Sequence, residues 1–231
     1  MALFSYSSEV YRSVTNIFKS FFFASIKDGI SQDIVTKYWL TGVLPAFREG
    51  VSPLAGVEII SNDARFHGLC GFMDTEVETI VKSFLQSQET DTVMHELRQQ
   101  HNGHRFIQAE ASEPLASLYN PQHVFAHLRS LAGGRPVRPR DEIEALHTSH
   151  VLNEIGESAF PELFLLAASS KLPSEVMFHF PPREVNGSNP RVTQSLLFFF
   201  GVLTYAESDA FLGIPNRTMQ QLVCFTVASP L

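Results

Sequence analysis

Histidine is the residue type in this chain whose spacing most invites chemistry. His101 and His104 bracket an Asn-Gly turn in HNGH, His123 and His127 lie four apart in HVFAH, and His147 and His150 lie three apart in HTSH. Imidazoles at such spacings can hold a metal ion, and on a helix His123 and His127 share one face, as zinc ligands often do. No glutamate follows His123, so the metalloprotease pattern fails. The commoner role of such residues is packing at a core edge, and Cys70 reads in the same way, as a buried unreactive thiol. Arg135, Arg138 and Arg140 form a small basic cluster that suits a phosphate. Beside Asp141, Glu142 and Glu144 they read more simply as a solvated loop. Arg105, next to the Asn-Gly turn, fits a structural ion pair better than an arginine finger.

Other chemistry is absent from this sequence. A phosphate-binding loop wraps backbone amides around the phosphates and reaches them with a lysine. No Gly-Lys dipeptide occurs, and all five lysines (Lys19, Lys27, Lys37, Lys82, Lys171) lie outside glycine-rich stretches. There is no Gly-x-Ser-x-Gly nucleophile elbow, and no lysine has an acid two residues before it as a Glu-x-Lys nuclease site requires.

The elements that would position these residues follow from periodicity. Ser8 caps a helix carrying Val10, Val14, Ile17, Phe18 and Phe21, with Gly29 as its stop. Residues 37–44, aromatic and β-branched and closed by Gly42 and Pro45, read as a strand apolar on both faces, the pattern of a buried parallel strand. Residues 61–71 suit a loop or short helix. A helix then starts at Asp74 or Thr75, with Thr75 and Glu78 as a capping box. Asn120-Pro121 opens another that places Val124, Phe125 and Leu128 on one face and ends at Gly133-Gly134. Asp141 caps a further helix, 159–170 is helical up to Pro173, and 181–190 is a turn-rich linker. Residues 193–201 read as a helix, followed by strands 202–206 and 211–215 joined by the polar turn Glu207-Ser208-Asp209, a β-hairpin.

Composition bounds the class. With 231 residues, 44% hydrophobic and 18% charged, the chain is long enough to bury a core without disulfides, and its two cysteines build no disulfide framework. The formal charge of −7 argues against a general nucleic-acid-binding surface. Residues 1–70 are balanced, six Lys/Arg against six Asp/Glu, while residues 71–231 hold eleven against eighteen. The longest apolar stretches, 21–26 and 196–203, fall far short of the ~20 residues that span a bilayer. The N-terminus lacks a signal-peptide pattern, so an intracellular location, cytoplasmic or nuclear, is expected and the two N-glycosylation sequons at Asn186 and Asn216 are read as coincidence.

Several stretches carry a family resemblance. Tyr38-Trp-Leu-Thr-Gly-Val-Leu-Pro-Ala-Phe-Arg48, Val51-Ser-Pro-Leu54, Leu69-Cys-Gly-Phe72, Leu118-Tyr-Asn-Pro-Gln122, Leu203-Thr-Tyr205 and Gly213-Ile-Pro-Asn216 occur in this order between about residues 10 and 223. Together they resemble the AAA-ATPase-like proteins common in fungi, often fused to a PD-(D/E)XK nuclease-like domain. The resemblance implies an α/β but mainly helical fold. Residues 1–70 would be a partial P-loop ATPase-like core, 71–190 a helical lid and 191–231 a winged-helix-like end. Thr41, at the tip of the 37–44 strand, would sense a γ-phosphate, and Arg48 would lie near the nucleotide. In the family, the phosphate loop and the magnesium-binding acid precede the segments matched here, and this chain would start downstream of both. The family's Tyr-Asn-Gly-Tyr turn stands here as His101-Asn-Gly-His104, which favours packing over metal binding. The final residues 226–231 have no family counterpart and suit a truncated end.

Phosphoryl transfer depends on the loop, its lysine and the metal. The expectation is therefore a non-catalytic fragment or interaction module that does not hydrolyse ATP alone, with no cofactor and no metal site. A protein partner would supply the missing core strands. A nucleic-acid-associated module is the alternative, disfavoured by charge, and no membrane is involved.

Overall fold

A computed structural model describes residues 13, 16–39, 41–42, 60–85, 89–108, 115–134, 160–178, 189–206 and 210–228, apart from 62, 70 and 170. The described chain is mainly helical with one small antiparallel sheet. A π-helical turn, Phe18–Phe23, leads into α1 (Ala24–Ser31), and a 3-10 turn spans Ala64–Leu69. Then follow α2 (Asp74–Phe84), α3 (Thr90–His101), α4 (Pro121–Ala132), α5 (Phe160–Ser169), β1 (Lys171–Pro173), α6 (Pro190–Phe199), β2 (Thr204–Tyr205), β3 (Phe211–Gly213) and α7 (Arg217–Ala228).

Gly29 does not stop the first helix. α1 runs to Ser31 and closes in a Schellman motif, with Asp33 in the left-handed region at φ 56°. Ile34 N–H donates to the Gly29 carbonyl at 2.9 Å and Asp33 N–H to that of Ile30 at 3.1 Å, satisfying carbonyls the helix leaves unpaired. Glycine is needed at 29 for a different reason, because a Cβ there would lie 2.8 Å from the Val35 side chain folding back over it. Of the residues in 16–42 whose side chains are described, none is buried. The strand expected over 37–44 is not formed in its described part: residues 37–39 and 41–42 are irregular, and Trp39 is 60% exposed. A strand apolar on both faces is stable only between partners, and the chain's three described strands all lie elsewhere.

The remainder packs around two apolar clusters. The first gathers Val77 and Val81 of α2, Val93, Met94 and Leu97 of α3, Val124 and Leu128 of α4, and Tyr119. The cap of α2 differs from expectation: Glu76, not Glu78, reaches back, its carboxylate accepting from Met73 N–H at 2.8 Å. Glu78 pairs instead with Lys82 one turn on. Asn120 caps α4 through its side-chain oxygen, which accepts from Gln122 N–H at 2.9 Å, and Pro121 fills the first turn where no N–H is needed. Phe125, expected on the buried face, is exposed. The buried stripe of α4 is His123, Val124, His127 and Leu128.

The second cluster lies between α5, α6, α7 and the sheet. The hairpin expected from the sequence is present, with Thr204 opposite Gly213 and Tyr205 opposite Leu212. β1 adds to β3 on the other side, giving the order β1-β3-β2. Pro173, read from sequence as a helix stop, ends this strand on the sheet edge, where its missing N–H costs no ladder bond. The two clusters meet at the segment after α3. There Arg105 accepts a backbone bond from Tyr205 N–H at 3.1 Å, and Thr204 Oγ1 donates to the Arg105 carbonyl at 2.9 Å.

Candidate functional site

Four histidines lie at this junction. His101 ends α3, His104 follows three residues later, and His123 and His127 lie one turn apart on α4. His101, His123 and His127 lie in the buried stripes of their helices, and none of the four is more than 4% exposed. Gly103 makes the turn between the first two. Its φ of 122° suits glycine, and a Cβ there would lie 1.9 Å from the Pro215 carbonyl oxygen. The Asn-Gly pair thus lets the chain pass against the entry to α7.

The nearest polar groups favour one tautomer for three of the rings. Glu96 Oε2 stands 3.6 Å from His127 Nε2. A carboxylate only accepts, so it favours the proton on Nε2 and leaves Nδ1 as an acceptor. His101 Nε2, 3.4 Å from that Nδ1, then donates, and its own Nδ1 faces the Thr218 hydroxyl at 3.5 Å. On the other branch, Asn216 Oδ1 accepts from Met219 N–H at 3.1 Å, capping α7, so its amide nitrogen faces His104 Nε2 at 3.4 Å. His104 Nδ1 is therefore the protonated nitrogen, and it has no hydrogen-bond partner. Neither nitrogen of His123 has one, nor has His127 Nε2. His104 stacks on Phe106, with ring centroids 5.5 Å apart and an interplanar angle of 13°.

Burial in this setting disfavours the imidazolium form. It is the main cause that lowers His101 to about 3, with the neighbouring imidazoles adding to it, and His104 and His123 to about 4. Burial lowers His127 as well, against the opposing pull of Glu96. All four rings are neutral at pH 7. His104 and His123, with Tyr119, Asn120 and Phe199, also line a cleft of about 200 Å³. Alongside, Asp74 accepts from Arg98 Nε and Nη2 at 3.0 and 2.7 Å and from Tyr119 Oη at 2.6 Å, tying α2, α3 and the start of α4 together. Chiefly through the Arg98 hydrogen bonds, this holds the Asp74 carboxyl below its ordinary range.

The other candidates fare differently. Thr41 is exposed on irregular chain. Arg48, Cys70, Arg135, Arg138, Arg140, His147 and His150 lie outside the described residues. Arg105 makes no ion pair among the described residues; its Nε is buried without a partner and its role there is carried by its backbone. Sequence reasoning passed over Glu96, Thr218 and Asn216. Only Asn216 carried a local signal, as an asparagine three residues before the N–H it caps. No family model matches the chain, and no curated protein or solved structure matches it.

Proposed function

We propose that this chain is a non-catalytic interaction module of AAA-ATPase-like character that does not hydrolyse ATP by itself. The observation that carries this reading is the lack of phosphate-gripping groups in this sequence, which has no Gly-Lys dipeptide and no lysine in a glycine-rich loop. Exposed apolar side chains support action through a protein partner. Phe164 and Leu165 on α5 are 63% and 54% exposed and Phe225 on α7 is 54% exposed, on helices that pack on one another. Trp39, equally open, lies in the stretch where the reading expects a partner to supply core strands. On this reading residues 1–70 belong to a partial ATPase-like core, 71–190 to a lid and 191–231 to a winged-helix-like end, in a cytoplasmic or nuclear protein. The order of α6 followed by the β2–β3 hairpin supports the last of these. Among the described residues no helix is long and apolar enough to cross a membrane. Calorimetric titration with ATP and magnesium tests the proposal: no binding and no turnover are expected, and micromolar affinity or measurable hydrolysis overturns it.

The helix–hairpin end also favours a second reading, a nucleic-acid-associated module. Against it, residues 171–231 carry four Lys/Arg and four Asp/Glu, no excess positive charge with which to meet phosphates. Salt-dependent retention of the protein on duplex DNA would favour this reading, and lack of retention at low salt would end it.

A further inference from the structure

Two apolar surfaces of this chain are uncovered. The first is an arm, residues 16–39, whose π-helical turn of six residues and α1 of eight run on as one helical stretch, Phe18–Ser31. An isolated helix of that length is marginal in water, and this one has no buried face to hold it. Ile17 and Phe21, one turn apart, are 63% and 74% exposed, and Ile34 beyond the helix is 73% exposed. The second surface lies on α5. Its exposed residues Pro161, Phe164, Leu165, Ala168 and Ser169 carry no charge, while its one acid, Glu162, is buried. Phe225 of α7, the helix on which α5 packs, is open as well. A helix that is apolar on both its inner and its outer face belongs between two layers, and the described chain supplies only the inner one.

Area and charge both point to a second copy as what covers them. At roughly 200 Å² per large apolar side chain, the exposed parts of Ile17, Phe21, Ile34 and Trp39 give about 550 Å² of arm. On the same basis Phe164, Leu165 and Phe225 give about 350 Å² of helix face. A stable interface takes about 800 Å² from each partner. Neither surface reaches that by itself, but the two together do. A partner must therefore meet both, and a second copy does so when each arm lies on the other's helices, a closed two-fold exchange. The arm holds Lys19, Lys27 and Lys37 against Asp28 and Asp33, whereas residues 71–231 hold eleven Lys/Arg against eighteen Asp/Glu. A basic-leaning arm thus suits an acidic body. The arm's own body does not serve, since an arm folded onto it would be buried there and none of its described side chains is. We propose that the chain forms a two-fold dimer by exchange of arms, residues 16–39 of each copy lying on the outer face of α5 and α7 of the other. This rests on the reading of the chain as an interaction module and names the partner as a second copy.

The test is light scattering on the eluted full-length chain over a range of concentrations. Expected is twice the 25.8 kDa chain mass, with a dissociation constant in the micromolar range or tighter. Phe21→Glu on the arm and Phe164→Glu on α5 each raise that constant at least tenfold. Both alter exposed side chains, so the fold is kept, which circular dichroism checks. Phe84→Glu, equally exposed but on α2, leaves association unchanged. An equimolar mixture of Phe21→Glu and Phe164→Glu regains association, because the mixed pair keeps one intact arm on one intact face. A monomeric wild-type chain overturns the exchange, while the expected lack of ATP binding, read by calorimetry, stands or falls separately. Dimerisation undiminished in either variant overturns it too, as does a mixture that stays monomeric.

Discussion

The two clusters close their interiors in opposite ways. On the sheet side, Phe198 lies edge-on to Phe106, Phe178, Phe199 and Tyr205, with ring centroids 5.7, 6.3, 5.7 and 4.9 Å away. Its buried neighbours are leucine, valine and methionine. On the helical side, the same kind of stripe ends in imidazoles, and several ring nitrogens there find no partner. A cluster closed by aromatic edges derives its stability from contact area. One closed by histidines keeps that stability only while the rings stay neutral, and it carries polar atoms available to a ligand.

Acid separates the two most strongly. The folded values of His101, His104 and His123, about 3, 4 and 4, lie below the ordinary 6.5 of the unfolded chain. The unfolded state therefore binds protons first. Stability is full above pH 6.5 and falls as the pH drops from 6.5 towards 4. Three such groups amount to a loss on the order of 5 kcal/mol between pH 7.5 and 5. Urea unfolding at the two pH values measures it, and a flat profile would mean that the rings are not held neutral in the core.

Phe198→Ala strikes the other cluster. Truncating a buried ring with four aromatic neighbours is expected to cost roughly 3–5 kcal/mol at any pH from 5 to 8. The same denaturant series checks both size and pH independence. If this loss followed the acid profile, the contrast between the clusters would collapse.

Gly103→Ala tests the seam. Alanine tolerates φ 122° poorly and its Cβ would meet the Pro215 carbonyl, so a loss of about 2–3 kcal/mol is expected. Amide exchange should show protection falling in both α4 and α7. Protection lost from only one would mean that the clusters are less coupled than their shared histidine contacts imply.

Much of the local architecture was legible in the sequence. Asn120-Pro121 and the paired glycines at 133–134 mark α4, and the polar turn at 207–209 marks the hairpin, because capping and turn chemistry act within a few residues. The cap of α2 was misplaced by two residues, since Thr75 is as good a capping residue as any until the backbone picks Met73. The strand over 37–44 is not formed in its described part for the opposite reason: its composition is right for a strand, but pairing needs a neighbour, and composition says nothing of neighbours. β1 and α7 were passed over because three residues ending in proline, and a helix with polar residues through its first half, carry weak periodic signals.

The histidines mark the boundary between the two kinds of information. Their spacing, the helical phase that puts His123 and His127 on one face, and the Asn-Gly turn after His101 follow from the residues themselves. Which face is buried, that α3 delivers His101 against α4, and that Thr218 and Asn216 arrive from more than a hundred residues away were decided only by tertiary packing. Helical phase is a local property of the backbone. Desolvation of an imidazole, and the partner each nitrogen meets, are properties of whatever distant surface closes over it.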